Sequence, residues 1–187
     1  MRTQVRTSSI TKPALVVVAI LLALAALALA VLPRGAGADN DITTVLLTER
    51  AEFTDDVAVQ IRNKFDGRGT DVINLRDASR VVVAEITIQP GAVFPWHTHP
   101  GPVVINIAEG DPDGAFVYVL ASDCVERHYG VGEALIDAGG DNIHTAYNPS
   151  DTHETVVIAT IFGVPEDGPV TLPVPGPDPD VCPLPEP

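Results

Sequence analysis

Positively charged residues are scarce in this sequence, which has 11 Lys and Arg against 25 Asp and Glu and a formal net charge of −14. Four of the basic residues lie within the first 38 positions, so the other 149 residues carry seven basic against 25 acidic side chains. Because proteins bind phosphate backbones through clustered positive charge, this composition argues against a nucleic-acid partner. The excess of acidic residues favours solubility instead.

Several common catalytic motifs are also missing. The sequence has no Gly-x-Ser-x-Gly elbow, no Walker-type loop and no Rossmann glycine pattern, so it gives no sign of the chemistries that those motifs support. It has no repeat of solenoid or propeller length. Three acidic residues, Glu109, Asp111 and Asp113, match a calcium-binding loop in part, but turn formation explains them better.

The first 38 residues have the pattern of an export signal. Basic residues precede an uncharged apolar run over residues 14–32, and Ala36-Gly37-Ala38 offers a small-x-small cleavage site. The run is also just long enough to span a bilayer, so a cleaved signal peptide and an uncleaved signal anchor both stay open. Either alternative predicts an extracytoplasmic protein, secreted or membrane-anchored, that contacts the membrane only through this segment.

The remaining chain is long enough for one domain with a proper core. We predict a linker over residues 39–54 with a short helix near 48–53, then a β-domain over 55–164. Residues 165–187 contain nine prolines, which predicts an extended tail on the surface and mostly outside the core.

Apolar residues in the predicted domain recur with a period of two, which is typical of half-buried strands. Val82, Ala84, Ile86 and Ile88 show the pattern, and turn sequences such as Gln89-Pro90-Gly91 separate such runs. Seven or eight short strands without a long helix favour a β-sandwich or barrel.

Three histidines form the one constellation that predicts chemistry. His97 and His99 are two residues apart, so in a strand their side chains leave the same face, and His144 can arrive from another strand. Three imidazoles suit a divalent transition metal, which could be Fe, Zn, Mn, Ni or Cu. The other two histidines, His128 and His153, are interpreted as surface or packing residues.

The glycines around these histidines resemble the two sequence motifs of the cupin superfamily. The matching positions are Gly91, His97, His99 and Gly110 in the first motif and Gly132, Gly140, His144 and Asn148 in the second. The resemblance implies a small jelly-roll β-barrel, also called a double-stranded β-helix, over about residues 57–164.

The chain departs from the family pattern at three points. Val103 stands where the first motif has a glutamate ligand, Ala138 replaces the proline of the second motif, and one extra residue separates Gly140 from His144. Some metal-dependent cupin oxygenases also use three histidines without a glutamate, so Val103 does not exclude chemistry.

The resemblance implies an exported metal-binding protein that holds a small molecule beside a three-histidine centre. An oxygenase or isomerase activity is one alternative; a non-enzymatic ligand-binding or sensing module, or a structural barrel with a decayed site, is the other. A homodimer formed through edge strands is an expectation by analogy with the fold. The predicted pocket residues are Trp96, Val103, Phe116, Tyr118 and Tyr147, with Phe94 and Ile105 as further candidates.

Two cysteines, Cys124 and Cys182, lie in the part of the chain that is predicted to be exported. An even count in an oxidising compartment favours a disulfide between them, which would fasten the proline-rich tail to the domain. A thiolate in the metal site is the alternative.

Overall fold

The computed structural model of this chain describes residues 41–65, 67 and 69–184. The predicted signal or anchor segment at residues 1–38 lies outside the described residues. Throughout the described ranges the regular elements are β-strands, and no helix is long and apolar enough to cross a membrane. The all-β fold class is therefore confirmed.

The strands follow one another along the chain with short connections. Their bounds are β1 Ile42–Leu46, β2 Ala51–Glu52, β3 Val59–Lys64, β4 Thr70–Leu75, β5 Arg80–Ile88, β6 His97–Thr98, β7 Val103–Glu109, β8 Phe116–Leu120, β9 Glu126–Tyr129, β10 Ala134–Asp137, β11 His144–Tyr147, β12 Thr155–Phe162 and β13 Leu172–Pro173.

Eight of these strands, β5 to β12, form the two antiparallel sheets of a jelly roll. One sheet has the order β5-β12-β7-β10, and the other has the order β6-β11-β8-β9. Along the chain every connection between these strands crosses from one sheet to the other, except the turn from β8 to β9. Two sheets connected in this way form a jelly roll. The strand order therefore confirms the predicted architecture.

The core lies between the two sheets and follows from the period of two along each strand. In β12 every second side chain is buried, including those of Val157, Ala159 and Ile161. These side chains pack in one cluster with Phe116 and Tyr118 from the opposite sheet. Alternate side chains of a strand leave opposite faces, so one face of β12 supplies the core.

The predicted short helix near residues 48–53 is wrong, and the predicted linker at residues 39–54 is wrong where it contains β1 and β2. β1 pairs antiparallel with β5 over its whole length, and β2 pairs with Val81 and Arg80 of the same strand. Most side chains of β1 are exposed, so the alternation that would identify a strand is missing. Its β-branched residues were the only signal available.

The proline-rich tail is fastened to the domain at two places. Cys124 and Cys182 form a disulfide with their Cα atoms 5.3 Å apart, as predicted, and such bonds are typical of oxidising compartments. Closer to the core, β13 pairs with β6, and Val170 packs against the core cluster. The tail was predicted to lie mostly outside the core; this holds for most of its side chains, but not for Val170 and Cys182.

Candidate metal centre

Two neighbouring strands of the second sheet bring the three histidines together. His97 in β6 and His144 in β11 are direct register partners, and His99 follows β6 on the same side as His97. The ring centroids lie 4.2 Å apart for His97 and His144, 5.0 Å for His97 and His99, and 5.3 Å for His99 and His144. One nitrogen from each ring lies within 4.8 Å of the others, and all three residues are buried.

Nδ1 of each ring donates a hydrogen bond to a different main-chain carbonyl oxygen. His97 donates to Pro95 at 2.7 Å and His144 donates to Asn142 at 3.2 Å. The third ring, that of His99, donates to the Val170 carbonyl in the tail at 2.7 Å. Because a carbonyl only accepts, Nδ1 carries the proton in each ring, and Nε2 keeps a free lone pair.

Burial keeps at least two of the rings neutral. Burial and, to a lesser extent, the nearby His144 together lower the pKa of His97 to about 3. Burial also lowers the pKa of His144 itself. Neutral imidazole is the form that binds metal, so at neutral pH His97 and His144 are already in their ligand state. Three buried imidazoles with a fixed tautomer fit a divalent transition metal.

A buried carboxylate lies directly behind this cluster. Asp137 is fully buried, and its Oδ1 accepts hydrogen bonds from Tyr118 Oη at 2.9 Å and Asn142 Nδ2 at 3.0 Å. Its Oδ2 accepts from the Gly139 amide at 3.2 Å, and Oδ1 lies 3.3 Å from His144 Nδ1. The Nδ1 proton itself is donated to Asn142, so Asp137 acts on the His144 ring through its nearby negative charge.

Asp137 is also the direct register partner of Val103 across β10 and β7. Side chains of directly opposed residues leave the same face of a sheet. The carboxylate therefore comes from the strand next to the position where the cupin motif has its glutamate. It contributes negative charge to the site through His144, whereas a glutamate at position 103 would contact a metal itself.

A cavity of about 410 Å³ opens beside the three histidines. Val103, Phe116 and Tyr118 line it, as do Phe94 and Ile105, which is where the sequence placed them. The rest of the wall is mainly apolar and comes from both sheets and from residues 169–171 of the tail. A water molecule occupies about 30 Å³ in the liquid, so the cavity has room for a small organic molecule.

Two of the predicted pocket residues lie elsewhere. Trp96 and Tyr147 pack in a separate cluster on the outer side of the second sheet, together with Cys182, and Tyr147 donates a hydrogen bond to Glu126 at 2.8 Å. The physical reason is the alternation of strand side chains. His144 and Ala146 face the cavity, so Tyr147 must face away, and Trp96 faces away because it precedes the inward-facing His97.

Some residues of the site were not singled out from the sequence. Asp137 is the last residue of β10, and its position between Gly132 and Gly140 of the second motif was the only available signal. Asn142 and the Val170 carbonyl gave no sequence signal. The remaining histidines, His128 and His153, have side chains that are 62% and 59% exposed, away from the centre.

Comparison with known proteins finds likeness only in fold. No protein-family model matches the sequence, and no curated protein matches it. Among solved structures, the polyketide cyclase RemF from Streptomyces resistomycificus is 21% identical, with 50% of this chain and 60% of that chain covered and a TM-score of 0.39. KdgF from a Halomonas species is 13% identical, with coverage of 69% and 84% and a TM-score of 0.43.

A cupin domain from Bordetella pertussis Tohama I is 20% identical, with 63% of this chain and 99% of that chain covered and a TM-score of 0.38. At these identities and TM-scores the solved structures carry no argument about activity. The fold assignment rests on the strand order of the two sheets.

Proposed function

We propose that this protein, a jelly roll of the cupin type, binds one divalent transition metal through Nε2 of His97, His99 and His144. The proposal is carried by one observation: a carbonyl holds each Nδ1, so the remaining nitrogen of every ring is free for a metal. Three ligands leave positions open for a further molecule. Open positions are what a catalytic metal needs, because substrate, water or oxygen must reach it.

The charges around the centre favour a ligand with a single negative charge. Imidazole ligands bind metal in their neutral form, Asp137 supplies one negative charge, and the residues that line the cavity include no Asp, Glu or Lys. Arg50 carries a positive charge in the cavity wall, and its guanidinium donates hydrogen bonds to two carbonyls of the tail. With Asp137 nearby, a divalent ion would keep one of its own positive charges uncompensated, and Arg50 adds a further positive charge to the wall of this apolar site, where such charge is costly. We infer that the bound molecule is small and apolar, with a monoanionic oxygen chelator at one end.

The same lining residues favour oxidation over isomerisation if the protein is an enzyme. Isomerisation needs a side chain that moves a proton, but Tyr118 already donates to Asp137 and the cavity wall offers no carboxylate. When bound, a redox-active metal supplies the oxidation chemistry, and the protein needs only to orient the ligand and exclude water. Without turnover, the same geometry describes an extracytoplasmic ligand-binding or sensing module.

A matched pair of probes tests this charge argument. We expect benzohydroxamate, a monoanionic chelator, to bind the Co²⁺-loaded protein at least about a hundredfold more tightly than the neutral benzamide, which corresponds to about 2.7 kcal/mol. The visible absorption of Co²⁺ reports the binding. Equal affinity for both probes would contradict the charge argument. Oxygen uptake by the Fe²⁺-loaded protein with diketones, phenols and thiols then separates an oxygenase from a binding module.

A further inference from the structure

The proline-rich tail crosses the metal centre rather than extending away from it. Residues 165–182, which we call the strap, begin where Arg50 donates hydrogen bonds to the carbonyls of Pro165 and Gly168. The strap then adds β13 to the edge of β6, the strand that contains His97. One more main-chain hydrogen bond, from Val174 N to Trp96 O at 3.0 Å, continues this pairing.

The strap contributes to the metal centre through the main chain of Val170. The carbonyl of Val170 accepts the Nδ1 proton of His99 at 2.7 Å, although the two residues are 71 positions apart. By contrast, His97 and His144 each bond to a carbonyl only two positions away. The orientation of His99 therefore depends on the strap, whereas the other two rings are held by carbonyls just before their own strands. Residues 169–171 also form part of the cavity wall.

The far end of the strap is held by a covalent bond. Cys182 is 3% exposed and is joined to Cys124 at the turn between β8 and β9. Between β13 and this disulfide, Gly176 packs so closely on the Trp96 indole that a Cβ would overlap the ring. Prolines lack the N–H that a ladder needs, so a proline-rich segment forms few hydrogen bonds with a sheet. The disulfide and the packing at Gly176 replace them.

We infer that the strap is a positioning element of the metal centre and that the Cys124–Cys182 disulfide holds it in place. Opening the disulfide loosens the strap, frees His99 Nδ1 and uncovers one wall of the cavity. An external dithiol opens it by giving two electrons and two protons, and is itself oxidised to a disulfide. The effect of the strap on metal binding rests on the proposed function. The hydrogen bond between His99 and Val170 does not depend on a metal.

The test uses two variants that loosen the strap in different ways. Cys124→Ser combined with Cys182→Ser removes the disulfide without leaving thiols that bind metal, and Gly176→Val pushes the strap off Trp96 with the disulfide intact. Val181→Ala is the matched control, because Val181 lies in the same segment but is 68% exposed. Far-UV circular dichroism checks that every variant keeps its β-structure.

Nitrogen-15 spectra of the histidine rings supply the decisive readout on the metal-free protein. We expect the Nδ1 proton of His99 to shift and to exchange faster in both strap variants, while the His97 and His144 signals stay within their wild-type range. The Co²⁺ dissociation constant is expected to rise about 10- to 100-fold, the usual cost of losing an outer partner of a ligand histidine. Val181→Ala should change neither readout.

The possible results separate the strap from the metal proposal. Unchanged His99 signals in both strap variants, or equal shifts of all three rings, would overturn the inference. If the wild-type protein takes up no Co²⁺, the proposed function fails, but the ring spectra still decide the role of the strap. If the serine variant loses its β-structure, Gly176→Val gives the result on its own.

Discussion

Replacing His144 with alanine is expected to abolish tight metal binding, weakening the affinity for Co²⁺ by more than about a hundredfold. His144 supplies one of the three nitrogens that could hold a metal, and it is the histidine that lies beside Asp137. With two histidines left, a metal would lose both a ligand and the ring that lies between it and Asp137. Titration of the metal-free protein with Co²⁺, followed by visible absorption, measures the loss. His97→Ala is expected to behave in the same way.

His128→Ala is the matched control for these substitutions. It makes the same chemical change at a side chain that is 62% exposed and outside the cluster. Its Co²⁺ affinity should equal that of the wild-type protein. Thermal unfolding must show that the His144 and His97 variants are folded at the temperature of the titration. Full Co²⁺ affinity in both folded variants would contradict the assigned ligand set.

Changing Asp137 to asparagine is expected to weaken both the fold and the metal site. Three donors converge on the carboxylate, from Tyr118, Asn142 and Gly139, and His144 Nδ1 lies 3.3 Å from it. Asparagine places a donor of its own among them, so at least one buried group loses its partner, which costs about 3 kcal/mol of the free energy of unfolding. The Co²⁺ affinity should fall about 10- to 100-fold, because His144 loses its carboxylate partner. Urea unfolding and Co²⁺ titration measure the two effects.

Asp141→Asn provides the control for that experiment. Asp141 is exposed and lies four residues further along the chain, so the same loss of charge should leave the free energy of unfolding within about 0.5 kcal/mol of wild type. Asp137→Asn with unchanged stability and unchanged Co²⁺ affinity would show that the carboxylate is not part of the site.

Much of the fold could be predicted because it depends on local patterns. The period of two in runs such as Val82 to Ile88 identifies strands with one buried face, and the glycine and proline turns between them favour a compact β-fold. The cupin resemblance then supported the three histidines as candidate metal ligands. β1 was not predicted because most of its side chains are exposed, so its sequence does not alternate between apolar and polar residues. The prediction of Trp96 and Tyr147 as pocket residues placed them on the wrong face of the sheet. The alternation of side chains along a strand, counted from His97 and His144, would have placed them on the outer face.

The parts of the site that could not be predicted depend on contacts between distant segments. Asp137 matters because β10 lies next to β7 and faces Val103, and that register is set by the whole sheet. Val170 acts through its main-chain carbonyl, which every residue has, so no side chain indicates its role. Cysteine counting predicted that the tail is fastened, but the path that takes it past His99 follows from the assembled sheet edge.

Metal content is the most direct test of the proposed centre. The protein should be purified without an affinity tag, analysed for metals by mass spectrometry, stripped, and titrated with Co²⁺. We expect one transition-metal ion per chain in the purified protein, or one Co²⁺ taken up per chain after stripping, with the site lost in His97→Ala and His144→Ala. No bound metal, no uptake of Co²⁺ and unchanged stability in those two variants would contradict a three-histidine metal centre.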